Sequence, residues 1–415
     1  MTGVRASLGQ IRFHTIYEAL QEAGIPYDDN NSSAVLVWHD SLKDIDYFKS
    51  LLPWQTVNRI PCINVLCRKA PFARIIQKIT PFFPELYSFV PKSYILPFKN
   101  SDFVRAIARK KCKWIIKPDS GSLGQGITII EPGSEYSPDE TLAVAQEYIE
   151  SFIVDEKKFD LRIYVLLASV SPLQIYVYRD GLARFCSQKT NEHSIYSQIT
   201  NVGLNKDNPD VTDFSDISKI ISDVFPKLKK EYGVNIEKLW QDIEDVIVLT
   251  ILASHKFLVK GEEYQCPRTV FSRCFQILGF DILLDKELKP HVLEVNYRPS
   301  LEYHRAPERR LKVGMVRDAV HIAAPLQNIQ SIVSARKWGW ESDNWLTYIS
   351  QNPEIEKRIN DCRKEAMKNN KFKLIYPTTG EKQVTYDNVL EKVHQLPIDF
   401  LPGFRIHKIV KGGEA

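Results

Sequence analysis

"LKPHVLEVNYRPS", Leu288 to Ser300, is an apolar stretch that carries two polar side chains where a buried strand would not have them. Side chains alternate along a strand, so Glu294 and Asn296 share one face, and Leu293 and Val295 take the other. A carboxylate and an amide that project together from an apolar strand are costly unless something binds them. Just upstream, "FQILGFDILL" (275–284) reads as a second strand, joined to the first by the polar turn from Asp285 to Pro290. If Leu284 pairs with His291, the same register sets Asp281 opposite Glu294. Asp281, Glu294 and Asn296 then cluster, while Phe280, Ile282 and Leu284 face the core with Leu293 and Val295. Two carboxylates in cross-strand contact repel each other unless a cation lies between them, and oxygen-only donors suit Mg²⁺ together with substrate phosphates. Taken alone, the same acids are equally at home on a solvated sheet face.

Two further stretches bear on that choice. In "KWIIKPDSGSLGQGITII" (113–130), Lys117 ends an apolar strand, and Gly121, Gly124 and Gly126 fall in the loop to a second strand. Glycine lets a backbone approach phosphate closely and turn its N–H groups inward. The lysine precedes the glycines and no helix pattern follows, which excludes a P-loop and a Rossmann fingerprint. By itself such a loop is also an ordinary turn. In "EKKFDLRIYV" (156–165), Lys158, Asp160 and Arg162 share one strand face, with Phe159 and Leu161 on the other. Arg184, in the next stretch "LQIYVYRDGLARFC" (173–186), is placed to approach them, and that stretch reads as a hairpin turning at Arg179-Asp180-Gly181. Cations beside an acid suit carboxylates and phosphates, or form a surface salt-bridge ladder. In this order the three pieces resemble the parts of one nucleotide site in an α+β ATP-grasp fold, a resemblance that implies ATP held between two sheets.

The rest of the chain sets the frame. Its 415 residues, 44% hydrophobic and 26% charged, suffice for two or three domains with a large core, and a net charge of +4 is too mild to dictate an anionic partner. Seven scattered Cys without a CxxC pair argue against structural zinc and a disulfide framework, and suit reduced thiols in a cytoplasmic setting. Cys274 reads as a core thiol. The N-terminal residues carry no signal-peptide pattern, and no run is apolar and long enough to span a membrane. "AVLVWHD" (34–40), "KWIIKP" (113–118), "ITII" (127–130) and "TLAVAQEYI" (141–149) read as strands, and residues 236–252 as an amphipathic helix. Beyond about residue 325 the pattern turns helical and polar, clearest in "IEKRINDCRKEAMKNNK" (355–371).

Over residues 34–325 the chain resembles the tubulin tyrosine ligase-like enzymes of the ATP-grasp superfamily. The resemblance rests on "LVWHDS", "CRKAPFAR", "KPDSGSLGQGI", "QEYI", "KFDLRIYV", "GLARF", "ITNVGLNK", "CFQILGFDILLD" and "LEVNYRPS", in that order. It implies an N-terminal α/β subdomain (1–66), a central ATP-grasp subdomain (67–149), a C-terminal catalytic subdomain (150–325) and a helical extension (326–415) available for microtubule contact. It further implies that Lys69 and Lys117 contact ATP phosphates with the loop glycines, and that Gln146, Glu147, Tyr148 and Ile149 line the adenine pocket. Lys158, Asp160, Arg162 and Arg184 would bind phosphate and the amino-acid substrate, Thr200 and Asn201 would position that substrate, and Asp281, Glu294 and Asn296 would hold Mg²⁺. Lys117, Arg162, Arg184 and Glu294 would carry catalysis. Departures are Gln125, where the family carries Lys or Arg, and Tyr297-Arg298, where it often carries His and a small residue.

The implied reaction is ATP-dependent ligation through an acyl phosphate, with free glutamate added to the acidic C-terminal tails of tubulin. Glycine and tyrosine are the alternatives, as is a catalytically weak microtubule-binding protein. The resemblance also implies a cytoplasmic protein of the microtubule cytoskeleton, at the cilium or basal body. The basic runs "HRAPERRLKVGMVR" (304–317) and "RAIARKKCK" (105–113) are candidate faces for an acidic tail or ordinary solvated helix faces. They lack the stacking aromatics of a nucleic-acid surface. Trp338, Trp340 and Trp345 in "KWGWESDNW" would pack on the core or meet a microtubule.

Overall fold

The computed structural model describes residues 5–9, 11–28, 34–41, 43–51, 55–109, 111–120, 125–192, 194–266, 272–324 and 353–398. Three sheets follow one another along the chain. The first is parallel, from Ala6–Leu8 (β1), Tyr27–Asp28 (β2), Leu36–Trp38 (β3) and Thr56–Val57 (β4), in the order β2-β1-β3-β4. Helix Thr15–Glu22 (α1) buries Ile16, Ala19 and Leu20, which recur at three- and four-residue spacing. Helix Ile45–Ser50 (α2) starts at Asp44, whose carboxylate accepts the Tyr47 N–H at 3.0 Å.

After helices Asn64–Cys67 (α3) and Lys69–Ile79 (α4) comes a small antiparallel sheet of Ser93–Leu96 (β5), Trp114–Pro118 (β6), Thr128–Ile130 (β7) and Ala143–Glu147 (β8), in the order β5-β8-β6-β7. Helix Asn100–Arg109 (α5) sends Phe103 under it, edge-on to Trp114 with ring centroids 5.3 Å apart.

The large sheet holds seven strands: Ile153–Val154 (β9), Lys157–Val170 (β10), Leu173–Phe185 (β11), Ser218–Ile220 (β12), Gln276–Leu284 (β13), Pro290–Asn296 (β14) and Phe372–Tyr376 (β15). Its path is β12-β11-β10-β13-β14, with β9 on β10 and β15 on β11, and every pairing is antiparallel. Between these strands lie helices Ile195–Gln198 (α6), Val202–Asn205 (α7), Ile221–Tyr232 (α8), Ile236–Gln265 (α9), Ala306–Ala323 (α10) and Pro353–Met367 (α11), and Gly380–Gln395 (α12) follows β15. Alternation along β10 explains the layering. Phe159, Leu161, Ile163, Val165 and Leu167 enter one core with α9, and Tyr164, Leu166 and Ala168 enter a second with α10 and the parallel sheet. Truncating a buried side chain such as Phe280 to Ala costs about 3–5 kcal/mol in cores of this kind. This mixed α/β architecture with antiparallel sheets is the one expected of an ATP-grasp-like fold.

Four expectations change. First, β11 runs unbroken through Arg179-Asp180-Gly181, and the hairpin turn is Ser171-Pro172. The pairing steps from Ile163 opposite Gly181 to Val165 opposite Val177, so the polar triplet belongs to a bulge. A Cβ on Gly181 would lie 2.3 Å from the Arg162 carbonyl oxygen, and Asp180 accepts the Ser222 N–H at 3.2 Å near the start of α8. Second, Leu284 faces Pro290 and Leu283 faces His291, yet Asp281 still faces Glu294 because the register slips between them. Leu293 is the extra residue. It turns into the cavity described below, and Val292 and Val295 fill the core instead. Third, the helix beginning at Ile236 continues to Gln265 with most of its circumference buried. Fourth, the described part of the extension is not purely helical. Strand β15 lies on the outer edge of β11, and α12 packs against α9, with His255 Nδ1 2.9 Å from His394 Nε2. The tryptophans at 338, 340 and 345 lie outside the described residues. All seven cysteines are free thiols, with Cys274 buried, and no described helix is long and apolar enough to cross a membrane.

Candidate functional site

A cavity of about 800 Å³ opens between the small antiparallel sheet and the large one. Three ladders of the large sheet assemble its charged wall. Arg184 of β11 is paired with Asp160 of β10, Arg162 of β10 with Asp281 of β13, and Asp281 with Glu294 of β14. The side chains then interlock. Arg184 donates Nε to Asp160 Oδ1 at 2.7 Å, and its Nη2 also lies 2.9 Å from Asp281 Oδ2. Arg162 grips Asp281 through Nε at 2.5 Å and Nη2 at 3.1 Å. The Thr200 hydroxyl donates to Asp160 Oδ2 at 2.8 Å. Burial pushes the Asp281 carboxyl up, but Arg162 and Arg184 overcome it and hold the group well below the usual carboxylate range. The result is a largely buried quartet of alternating sign, with Arg162 at its partly exposed edge, which desolvation permits because every charge is paired.

At the edge of the quartet, Asn296 Nδ2 lies 3.3 Å from Glu294 Oε1 and 3.5 Å from Asp281 Oδ2. Lys69 approaches Glu294 from across the cavity, with Nζ 3.7 Å from Oε2. Two residues that the sequence reading passed over put Lys69 there. Asp119 accepts the Ala70 N–H at 2.8 Å and pairs with the Arg68 guanidinium, so the residue after "KP" caps α4. The available signal was an Asp immediately after a strand-ending proline, but its partners stand about fifty residues away in the chain.

Lys117 projects from β6 into the same space. Burial lowers its pKa to about 8 against the opposing pull of Glu294, and Lys69 lowers it further. Lys158 donates to the Tyr148 hydroxyl at 2.8 Å and sits 4.1 Å from that ring's centroid. Burial takes its pKa to about 8 as well, against Cys186 and Asp160. Gln146 donates to Ser93 Oγ at 3.0 Å, and Tyr148 donates to the Gln198 carbonyl at 3.0 Å. With Glu147 and Ile149 they form one rim, and Ile115, Ile127, Leu283 and Leu293 supply apolar walls. Asn201 also lines the cavity, but its side chain caps α7 by accepting the Leu204 N–H at 3.2 Å. Gly126 has φ +70°, and a Cβ there would lie 2.9 Å from Pro118 Cγ, so this position demands glycine. Gly121 and Gly124 lie outside the described residues.

Among the described residues no three His, Cys, Asp or Glu side chains converge as a metal cluster. The two carboxylates and one amide of Asp281, Glu294 and Asn296 nevertheless fit Mg²⁺ as a donor set. Their oxygens are hard ligands on one sheet face that would hold the ion, with both Asp281 oxygens also accepting from Arg162 and Arg184.

Most of the basic run 304–317 does not form a free face, and only Arg310 among its Arg and Lys residues is exposed without an ion pair among the described residues. Lys312 is buried and donates to the Glu302 carbonyl, Arg305 donates to the Ser218 carbonyl at 2.6 Å, Arg309 pairs with Glu18 and Arg317 with Asp318. In the run 105–113, Arg105 pairs with Asp102 and Lys113 with Glu131, while Arg109 and Lys111 are exposed.

Comparison with known proteins points to one family. The profile described as "Tubulin-tyrosine ligase family" matches residues 48–332. Tubulin polyglutamylase TTLL6 of Mus musculus is 32% identical over 394 residues, covering 89% of this chain and 47% of that protein. Its Homo sapiens counterpart is 34% identical over 325 residues, covering 76% and 36%. A probable beta-tubulin polyglutamylase of Tetrahymena thermophila is 31% identical over 316 residues, covering 72% and 26%. The chain therefore spans less than half the length of these relatives. With a profile matched across the small sheet, α9, β13, β14 and α10, and with the Lys117, Lys158 and Asp281-Glu294-Asn296 constellation inside that match, this chain belongs to the tubulin-tyrosine ligase family.

Proposed function

We propose that this chain is an ATP-dependent ligase that adds glutamate to the acidic C-terminal tails of tubulin. The observation that carries the reading is the meeting of two walls. The acid-amide face of β13 and β14 stands opposite Lys69, 3.7 Å away at Glu294, with Lys117 in the same cavity between two sheets. The names of the relatives, tubulin polyglutamylases, support the substrate.

In this reading the planar base of ATP lies along Gln146 to Ile149 between Ile115, Leu283 and Leu293, and its phosphates reach Lys117 and Lys69. Asp281, Glu294 and Asn296 would hold Mg²⁺, which supplies charge neutralisation at the phosphates when bound. Residues 67–149 and 150–325 act as the two jaws, each contributing one sheet. A tail carboxylate oxygen forms a bond to the γ-phosphorus as the bond to ADP breaks, giving an acyl phosphate. The amine of glutamate then attacks the acyl carbon, phosphate departs with the C–O bonding electrons, and the amine releases a proton. Phosphoryl transfer of this kind needs positioning and charge more than a protein nucleophile. Lys117 offsets charge on the moving phosphoryl group. Arg162 and Arg184, locked by Asp281 and Asp160, present fixed guanidinium edges to the carboxylate of the incoming amino acid. Such an activity places the protein on the cytoplasmic microtubule cytoskeleton, with cilia and basal bodies as its expected sites.

The test is purified chain with microtubules, ATP and each amino acid separately, read by mass spectrometry. Glutamate adducts on tail peptides, lost in Glu294→Gln, are expected. Adducts of glycine or tyrosine alone would reassign the amino acid. Absence of Mg·ATP binding by calorimetry at millimolar ATP would leave a microtubule-binding module instead.

A further inference from the structure

Among the described residues that line the cavity, Arg68, Lys69, Arg162 and Arg184 each lie within 4.0 Å of a carboxylate, whereas Lys117, Lys158 and Arg298 do not. The two lysines are buried and suit ATP phosphates, but Arg298 is exposed. It follows β14 directly, two residues past Asn296, and so stands at the mouth of the cavity next to the acid-amide face.

Its place is fixed from several sides. The Tyr297 carbonyl accepts the Gln276 side-chain amide at 2.6 Å, and that same side chain accepts the Ile60 N–H at 3.0 Å. The Leu301 carbonyl accepts the Thr15 hydroxyl at 2.7 Å. Arg298 Nη1 itself donates to the Asp40 carbonyl at 2.9 Å. The Asp40 carboxylate does not neutralise it, because that group accepts the Arg12 N–H at 2.5 Å and faces Arg59 at 4.0 Å. Arg59 is buried, with Nε on the Ser41 carbonyl at 3.0 Å, and takes up the Asp40 charge behind the rim. A guanidinium has five donors in a rigid fork matched to a carboxylate, and one of these is used by Asp40.

We propose that Arg298 binds a carboxylate of the acidic acceptor peptide that flanks the residue being modified, and so selects acceptors by the charge beside the modified position. A free amino acid or nucleotide can be enclosed in the cavity, whereas a polypeptide can insert only one side chain and must leave its neighbours at the rim, where Arg298 stands. The assignment rests on the reading of the chain as a ligase for acidic tails.

The test separates the two. Binding of a fluorescent glutamate-rich peptide is measured by anisotropy without ATP, for the unaltered chain, Arg298→Ala and Arg298→Lys, alongside a peptide in which the residues flanking the acceptor are glutamine. In the unaltered chain the glutamine peptide should bind about tenfold more weakly, and Arg298→Ala should weaken the glutamate peptide by a similar factor. The glutamine peptide should lose nothing further in Arg298→Ala, Arg298→Lys should restore part of the loss, and calorimetric ATP affinity should be unchanged. An equal glutamine penalty in the unaltered chain and in Arg298→Ala overturns the proposal, as does a change confined to ATP or free glutamate affinity, or an unaltered chain that does not distinguish the two peptides. Because the readout is binding, it stands whether or not turnover is found.

Discussion

The arginine-aspartate quartet of the large sheet and Lys117 of the small one handle charge in opposite ways. On the large sheet, Arg184, Asp160, Arg162 and Asp281 neutralise one another across strand ladders. Across from them, Lys117 is buried without a carboxylate within 4.0 Å among the described residues, and its pKa falls to about 8. A paired charge is rigid and directs its donors, whereas an unpaired one is held at a cost that an arriving anion relieves. The first arrangement orients a substrate, and the second attracts one.

Breaking the quartet should have the largest effect. Arg184→Met leaves Asp160 and Asp281 short of a buried partner and should lower stability by about 3–5 kcal/mol in denaturant titration. Glu294→Gln keeps the shape of the acid-amide face and removes one charge. Turnover should fall about 10²–10³-fold with thermal stability nearly unchanged, measured by label transfer and calorimetry. The Lys117 side is sharpened by pH. Below pH 8 Lys117 is already charged and phosphates gain its full attraction, whereas above pH 8 a proton must be taken up on binding. The Kd for ATP should therefore rise by up to about tenfold per pH unit above pH 8, and Lys117→Arg should flatten Lys117's share of that rise in calorimetric titrations. Lys158, whose pKa is also about 8, should leave a residual slope. The smallest effect belongs to Gln125, which is exposed and lines the cavity. Gln125→Arg should tighten ATP binding only about fivefold, since an exposed cation contributes at most about 1 kcal/mol.

How much of this could be read from the chain follows from which interactions are local. The alternation of "KKFDLRIYV" placed Lys158, Asp160 and Arg162 on the cavity face, because a strand's period is two wherever pairing is regular. Asp281 opposite Glu294 was also legible, although the pairing assumed to get there, Leu284 with His291, is off by one residue and the slip at Leu293 restores it. That slip, and the bulge at Asp180-Gly181, left no mark on hydrophobic periodicity. A bulge is decided by what the neighbouring strand and helix offer, here the Arg162 carbonyl and the start of α8. The same holds for Asp119, whose partners are distant in sequence. Most of the basic run 304–317 was not legible for a related reason, since Arg309 and Arg317 find their acids on α1 and α10, and Arg305 and Lys312 are taken up by backbone carbonyls distant in sequence or fold.

Strand β15 has a practical consequence. The family match ends at residue 332, yet Phe372–Tyr376 seals Ile175 to Tyr178 of β11, and α12 shelters α9. A chain cut at the end of the match would retain every cavity residue named above and still bare a hydrogen-bonding edge beside an oily helix. Such a fragment is expected to self-associate or precipitate, so an inactive, insoluble truncation would say nothing about the chemistry of the cavity.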